Sequence, residues 1–214
     1  MDDLIGTYEF SSAPGVVQER QRKYVKWFKP GWKVLDVGSG RGLFLELLRQ
    51  AGIDGEGVDS DAQAIRQASG KGLVCFHGDV KAFMRDKREI YDGIFCSNFL
   101  EHFTAEEVFN LLRLFDRVTR PGGVIILIGP NPRSYQMLTE TFWLDPTHVR
   151  FYPNLFLARA LEHLGFEIIE SGDDPETRIR PRTISQRLVL LAIRCMLPPI
   201  LLEGAEIYLI ARKP

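Results

Sequence analysis

A glycine-rich segment with an acid in front of it carries the strongest chemical signal in the sequence. It comprises Asp36, Gly38, Ser39, Gly40 and Gly42, at the end of an apolar run over 33–37. Glycine has no Cβ atom, so the backbone can turn sharply there and approach a ligand closely. A dinucleotide-binding loop would need glycine at position 43, where this chain has leucine. The segment therefore predicts a nucleotide-type site of another kind, with a plain glycine-rich turn as the alternative.

Two more acids stand where later apolar runs end. Asp59, which precedes Ser60, lies 17 residues beyond Gly42, and at about that distance a carboxylate can accept both ribose hydroxyls of an adenosine. Asp79, which precedes Val80, follows the next run. The alternative for each acid is to cap the helix that follows it. We expect Asp59 to lie at an exposed strand end.

Two histidines are candidates for acid–base chemistry. His102 comes shortly after Ser97 and Asn98, and His148 lies in an irregular, aromatic-rich segment at 130–152. Histidine titrates near neutral pH, so it is the usual base for a hydroxyl group. We predict that both histidines are catalytic. The alternatives are capping or packing for His102 and a hydrogen bond within its own turn for His148.

Short apolar runs alternate with helical patterns along the chain. The predicted strands lie at 33–37, 55–59, 72–76, 92–97, 124–128, 166–170 and 205–211, and the predicted helices lie at 16–29, 43–50, 61–68, 80–87, 104–119, 154–164 and 185–197. Continuously apolar strands that alternate with helices indicate a doubly wound α/β fold, whose parallel sheet is covered on both faces. Such sheets bind ligands at the carboxyl ends of their strands, where the candidate residues stand.

The predicted organisation is a single domain over 1–214. It has an N-terminal helix at 13–29, an active-site loop at 130–152 and an inserted helix at 172–200. The candidate core residues of the N-terminal helix are Val17, Tyr24, Val25 and Phe28. The loop contains Tyr135, Phe142, Trp143 and Phe151. These aromatic side chains suit stacking on an acceptor molecule or, equally, anchoring of the loop to the core.

The glycine loop, the acids and the segment after the fourth strand together resemble the class I S-adenosylmethionine-dependent methyltransferases. The resemblance covers about 20–170 and returns in the last strand. It implies a Rossmann-like, seven-stranded sheet, mostly parallel with the last strand antiparallel, and S-adenosylmethionine as cofactor, with S-adenosylhomocysteine as product. The residues that it implies at the cofactor are Asp36, Gly38, Ser39, Gly40, Gly42, Asp59, Ser60, Asp79, Val80, Ser97 and Asn98.

Two further resemblances bear on the reaction. The run 145–150 and the charged helix at 19–24 resemble a bacterial and archaeal branch of small methyltransferases that often accompany glycan pathways. That resemblance implies a hydroxyl or carboxyl group on a small molecule or glycan as acceptor. Glu101, His102 and His148 also offer the donors for a metal, as in some RNA 3′-end methyltransferases. Those enzymes have a glutamate where this chain has Asn98, so we predict no metal.

Two alternative functions remain, an RNA methyltransferase and a non-catalytic relative that binds the cofactor. The charge composition bears on the first of them. Lys and Arg number 27 against 28 Asp and Glu, so nucleic acid is not favoured as a partner. The segment 178–200 combines arginines with apolar residues. It could close on an anionic, lipid-linked or nucleotide-linked substrate, contact a membrane surface, form a dimer face or stay solvated.

The cellular compartment is predicted from three features. Cys75, Cys96 and Cys195 are far apart, as expected of reduced thiols. The N-terminus has no signal-peptide pattern, and the apolar run 188–202 is too short to span a bilayer. We therefore predict a cytoplasmic location.

Overall fold

A twisted sheet forms the centre of the molecule. The computed structural model describes residues 14–178, 183–196 and 203–214. Within them seven strands pair in the order β3-β2-β1-β4-β5-β7-β6. The strands are β1 (Lys33–Val37), β2 (Asp54–Asp59), β3 (Val74–His77), β4 (Tyr91–Ser97), β5 (Thr119–Pro130), β6 (Glu167–Asp173) and β7 (Glu206–Arg212). β1 to β5 pair in parallel, and β7 runs antiparallel between β5 and β6. This confirms the predicted Rossmann-like sheet.

Helices connect these strands. They are α1 (Pro14–Arg22), α2 (Leu43–Gln50), α3 (Ala62–Gly70), α4 (Val80–Met84), α5 (Ala105–Val118), α6 (Tyr135–Thr139), α7 (Asn154–His163) and α8 (Ile184–Met196). Short 3-10 turns occupy Val25–Trp27, Leu100–His102, Thr141–Leu144 and Pro175–Thr177. A capping box fixes the start of α5, because the Thr104 hydroxyl accepts from the Glu107 N–H while the Glu107 carboxylate accepts from the Thr104 N–H.

The two faces of the sheet have separate apolar cores because successive residues of a buried strand point to opposite sides. On one face, Ile94 and Cys96 of β4 pack with α5 and α7. On the other, Phe95 stacks on Phe44 of α2, with ring centroids 3.6 Å apart. Both cores lie beneath the loops at the strand ends, so those loops rest on rigid elements.

The N-terminal helix is shorter than predicted. The pattern favours a helix to 29, but α1 ends at Arg22 and a 3-10 turn follows. Of the predicted core residues, Tyr24 and Phe28 are nevertheless buried, whereas Val17 and Val25 are only half-buried. A side chain at Gly93 of β4 would collide with the Phe28 ring, so this segment packs directly against the sheet.

The inserted segment begins later than expected. β6 continues to Asp173, three residues beyond its predicted end at 170. The Asp174 N–H then donates to the Glu206 carbonyl at 2.7 Å. The predicted inserted helix corresponds to α8, and the parts of 172–200 at 179–182 and 197–200 lie outside the described residues, as do 1–13. None of the helices in the described ranges combines the length and the apolar character that crossing a bilayer requires.

Candidate active site

The carboxyl ends of β1 and β2 hold the glycine loop in a tight turn. The N–H groups of Gly38 and Ser39 donate to the Val58 carbonyl at 3.0 and 3.2 Å. The Gly40 N–H donates to Oδ2 of Asp59 at 2.8 Å. Gly38, Gly40 and Gly42 have φ values of +70°, +50° and +75°, which only glycine adopts readily. The predicted loop and the predicted ribose-binding acid therefore form one structural unit.

Asp59 is buried, contrary to the expectation of an exposed strand end. Its side chain is only 7% exposed because both carboxylate oxygens bind backbone groups. Oδ2 accepts from Gly40, and Oδ1 accepts from the Asp61 N–H at 2.8 Å. Each carboxylate oxygen has two lone pairs, so each retains one for a further donor. The two bonds fix the carboxylate in place beside the loop.

Two further polar side chains of this loop are buried. Asp36 lies inside β1, where burial, and secondarily the charge of Asp59, raises its pKa well above the usual range. The hydroxyl of Ser39 is buried without a hydrogen-bond partner among the described residues. It faces Gly57 of β2, where a Cβ atom would lie 2.5 Å from it, so the Ser39 side chain packs the loop against that strand.

Two of the predicted glycines have different structural roles. A Cβ atom on Gly38 would lie 2.6 Å from Cδ2 of Phe99, in the segment that follows β4. A Cβ atom on Gly42 would instead lie 2.5 Å from the Leu73 side chain and 3.2 Å from that of Ala68. Gly38 thus faces the site, whereas Gly42 allows α2 to pack closely against neighbouring elements.

The predicted adenine-side residues stand at the ends of β2 and β3. Asp79 caps α4, since its Oδ1 accepts from the Ala82 N–H at 2.7 Å, and its side chain remains exposed. The Val80 side chain is buried in the core, which leaves its backbone N–H in the first turn of α4 for a ligand. Ser60 is exposed beside them. Their contact with the adenine stays a prediction.

Ser97 and Asn98 stand at the end of β4, which flanks β1 on the side away from β2 and β3. Asn98 has a φ of +50°, and its N–H donates to the Ile128 carbonyl at 3.0 Å. Its side-chain amide donates to Oε1 of Glu206 at 3.3 Å. Burial is the main cause that raises the pKa of Glu206. The sequence interpretation missed Glu206, although an antiparallel strand beginning at this edge places its first residue beside the site.

Glu101, His102 and His148 come together beyond the end of β4. The rings of His102 and His148 lie 4.8 Å apart between centroids. The Val149 N–H donates to the Glu101 carbonyl at 2.8 Å, which holds the loop after β5 against the 3-10 turn after β4. The structure thus brings the two predicted catalytic histidines side by side, together with Glu101, which the sequence already groups with them.

The electrostatics of this cluster follow from its burial. Glu101 is 2% exposed, and desolvation raises its pKa to about 8. Burial, and secondarily the neighbouring His148, lowers the pKa of His102, while Asp145 and backbone groups of Thr147 and Asn98 oppose that change. His102 is therefore held mainly in its neutral form, which has a lone pair for a proton or a metal.

Some aromatic side chains of the 130–152 loop anchor it to the core, and others are exposed and could stack on an acceptor. Phe142 is fully buried and stacks on Phe151 with centroids 3.8 Å apart, so these rings anchor the loop. Trp143 and Tyr135 are 63% and 60% exposed. Those two rings are available to an acceptor.

Comparison with known proteins identifies the family. Residues 12–171 match a family described as a methyltransferase domain. Ubiquinone biosynthesis O-methyltransferases are 29% identical over 113 residues in Nitrosospira multiformis and 30% identical over 113 residues in Pseudomonas fluorescens (strain Pf0-1). These matches cover 49% of this chain and 46% and 48% of the relatives, so the matched region spans about half the length of each.

Solved structures agree with this match over nearly the whole chain. An S-adenosylmethionine-dependent methyltransferase from Archaeoglobus fulgidus has a TM-score of 0.82 and 29% identity, with 96% of both chains covered. A second, from Mesorhizobium loti, has a TM-score of 0.66 and 17% identity, with 91% of this chain and 98% of that one covered, and shows the shared fold. The glycine loop and the fixed Asp59 carboxylate, which keeps lone pairs for further donors, fit the cofactor that these proteins are named for. The chain belongs to this family of class I S-adenosylmethionine-dependent methyltransferases.

Proposed function

We propose that the protein transfers a methyl group from S-adenosylmethionine to an oxygen atom of a small-molecule or glycan acceptor. The observation that carries the proposal is the pair of imidazoles, His102 and His148, beside the predicted cofactor residues at the end of β4. A hydroxyl acceptor must lose a proton during methyl transfer, and imidazole is the side-chain group that most often assists such a loss.

Specific residues would hold the cofactor. Asp59 would accept the ribose hydroxyls, the loop from Gly38 to Gly40 would lie against the methionine and ribose parts, and Asp79 with the Val80 N–H would bind the adenine. The cofactor supplies a methyl group already activated on a sulfonium sulfur. The chain's own task is therefore to place an acceptor oxygen in line with that methyl group. Positioning of this kind can contribute about 7–11 kcal/mol to lowering a barrier.

The acceptor side of the site favours a ring-bearing or sugar-like molecule. Trp143 and Tyr135 expose aromatic faces on the loop that also carries His148. Aromatic faces of this kind stack on rings and on the apolar faces of sugars. The relatives named as ubiquinone biosynthesis O-methyltransferases support methylation of an oxygen atom on a small molecule. The formal net charge of -1 gives no support to RNA as the acceptor.

A turnover assay with methyl-labelled cofactor tests this proposal. The acceptors would be catechol, a methyl glycoside, benzoic acid and transfer RNA, each with wild type and with His102→Ala, His148→Ala and His163→Ala. His163 lies exposed at the end of α7 and serves as the control. We expect label on catechol or the glycoside as an alkali-stable ether, or on benzoate as an alkali-labile ester, and normal turnover by the control variant. Label on RNA alone, or cofactor binding without turnover on extract fractions, would contradict the proposal.

A further inference from the structure

The cluster of Glu101, His102 and His148 has the composition of a metal site. One donor atom from each of the three residues lies within 4.8 Å of the others. The donors come from two different elements, the turn after β4 and the loop after β5, which are joined by the hydrogen bond from Val149 to Glu101. One carboxylate and two imidazoles suit a divalent transition-metal ion that keeps open positions for other ligands.

The hydrogen bonds around the two imidazoles determine which nitrogen bears the proton. Nδ1 of His148 lies 2.7 Å from the Phe142 carbonyl, which can only accept, so this nitrogen carries hydrogen. Nδ1 of His102 lies 2.8 Å from Oγ1 of Thr147. The Thr147 hydroxyl gives its own proton to Asp145 at 2.6 Å, so its oxygen accepts from His102. With hydrogen on Nδ1, the lone pair of each ring lies on Nε2, although a backbone group of Asn98 also contacts the His102 ring.

Such partners on Nδ1 are typical of metal-ligating histidines. A ligating imidazole usually donates its second nitrogen's hydrogen to a carbonyl or carboxylate, directly or through one polar group, which fixes the ring and the tautomer. Here a backbone carbonyl holds His148, and Thr147 with Asp145 holds His102. Asp145 also places Oδ2 3.8 Å from Nε2 of His148, which adds negative charge beside the cluster.

Glu101 supplies the independent observation. Its side chain is 98% buried, and Oε2 has no hydrogen-bond partner among the described residues. Oε2 lies near Gly129, beside a small and largely apolar cavity whose lining includes Ile128 and Tyr152 but neither histidine. A buried carboxyl group without a partner is costly, and a bound cation removes that cost.

We propose that Glu101, His102 and His148 bind one divalent transition-metal ion, such as Zn²⁺, Mn²⁺ or Co²⁺. The sequence favours no metal because Asn98 stands where some RNA 3′-end methyltransferases have a glutamate ligand. In this structure the Asn98 amide instead donates to Glu206. The three remaining donors are enough for a metal site with open positions. Metal–nitrogen bonds of about 2.1 Å allow at most about 4.2 Å between two ligands. A pair at the 4.8 Å limit must therefore approach by about 0.6 Å on binding.

This inference rests on the proposed function and specifies how the acceptor is activated. An acceptor hydroxyl bound at an open position becomes more acidic and loses its proton to solvent. An oxygen lone pair then forms the new O–CH₃ bond while the C–S bond breaks and its electron pair stays on sulfur. With the ion bound, the imidazoles assist this loss of the proton as ligands of the ion; without it, they would assist as bases.

Metal binding can be measured without turnover. The chelator-treated protein would be titrated with Co²⁺ while visible absorption is recorded, and with Zn²⁺ by calorimetry. We expect one ion per chain. His148→Ala and Glu101→Gln should weaken binding by more than about 100-fold, and Thr147→Val, which removes an outer partner, by about 10- to 100-fold. His163→Ala should bind as wild type does, and melting curves would show that each variant is folded.

The outcomes separate the two proposals. Absence of stoichiometric binding to the folded wild type, or binding that Glu101→Gln and His148→Ala leave unchanged, overturns the metal site. Full methyl transfer after chelation, together with loss of transfer in His102→Ala, would retain the proposed O-methylation and reject the metal. Stoichiometric binding that these variants abolish supports the site, even if no acceptor oxygen in the turnover assay becomes methylated.

Discussion

Asp59 offers a direct test of how the cofactor site is built. Its carboxylate accepts one backbone N–H on each oxygen, from Gly40 and from Asp61, both at 2.8 Å. Replacement by asparagine keeps the shape but turns one oxygen into an NH₂ group, which cannot accept. One of those buried N–H groups then loses its partner, at a cost of about 1–3 kcal/mol in the free energy of unfolding.

The same substitution removes an acceptor for a ribose hydroxyl. A hydrogen bond to a charged group contributes about 1.5–3 kcal/mol. At 1.36 kcal/mol for each tenfold change, Asp59→Asn should weaken binding of S-adenosylhomocysteine by roughly 10- to 150-fold. Calorimetry well below the melting temperature measures this directly. Asp61→Ala is the matched control, because it removes the α3 cap that Gln63 and Ala64 donate to and should cost about 0.5–2 kcal/mol of stability with unchanged affinity.

Cofactor analogues distinguish a lost ribose contact from a disturbed loop. The 2′-deoxy and 3′-deoxy analogues of S-adenosylhomocysteine should bind wild type more weakly than the parent compound, and Asp59→Asn should reduce that difference. If the analogues lose as much affinity in the variant as in wild type, Asp59 serves only to hold the glycine loop, and its assignment to the ribose is refuted.

Two further predictions concern the loop and α8. In chemical denaturation, Gly38→Ala should lower the free energy of unfolding by more than Gly31→Ala does. Both glycines have a positive φ, but only at Gly38 would the new Cβ atom collide with Phe99. Equal losses would mean that backbone strain alone determines the cost. The exposed apolar residues of α8 favour contact with an anionic membrane. Leu188→Glu should then abolish co-sedimentation with phosphatidylglycerol vesicles, whereas the control Leu155→Glu on α7 should not. Failure of the wild-type protein to bind the vesicles would contradict membrane contact.

Local patterns were enough to predict most of the fold. The apolar runs predicted every strand of the described sheet, and Thr104 with Glu107 predicted the start of α5. Such features depend on residues that are close together in the chain. The end of α1 at Arg22 was missed because packing of Tyr24 and Phe28 against the sheet, which is a tertiary effect, replaces the continuous helix.

The candidate site was predicted less completely for the same reason. The strand ends placed Asp59 and His102 at the correct edge of the sheet. The place of the 130–152 loop directly after β5 predicts that His148 lies near the same edge as His102, but the 4.8 Å contact between their rings depends on how a loop 46 residues later folds back. The burial of Glu101 and the position of Glu206 likewise arise from contacts between distant segments.

The central claim is that the cluster at the end of β4 faces the methyl group of the bound cofactor. A crystal structure of the protein with S-adenosylmethionine bound tests this most directly. We predict that the sulfonium methyl group lies within about 8 Å of the His102 or His148 imidazole, close enough for an acceptor oxygen to lie between them. A complex in which both imidazoles are farther away than this would contradict the account, and methyl transfer would then have to proceed without assistance from either histidine.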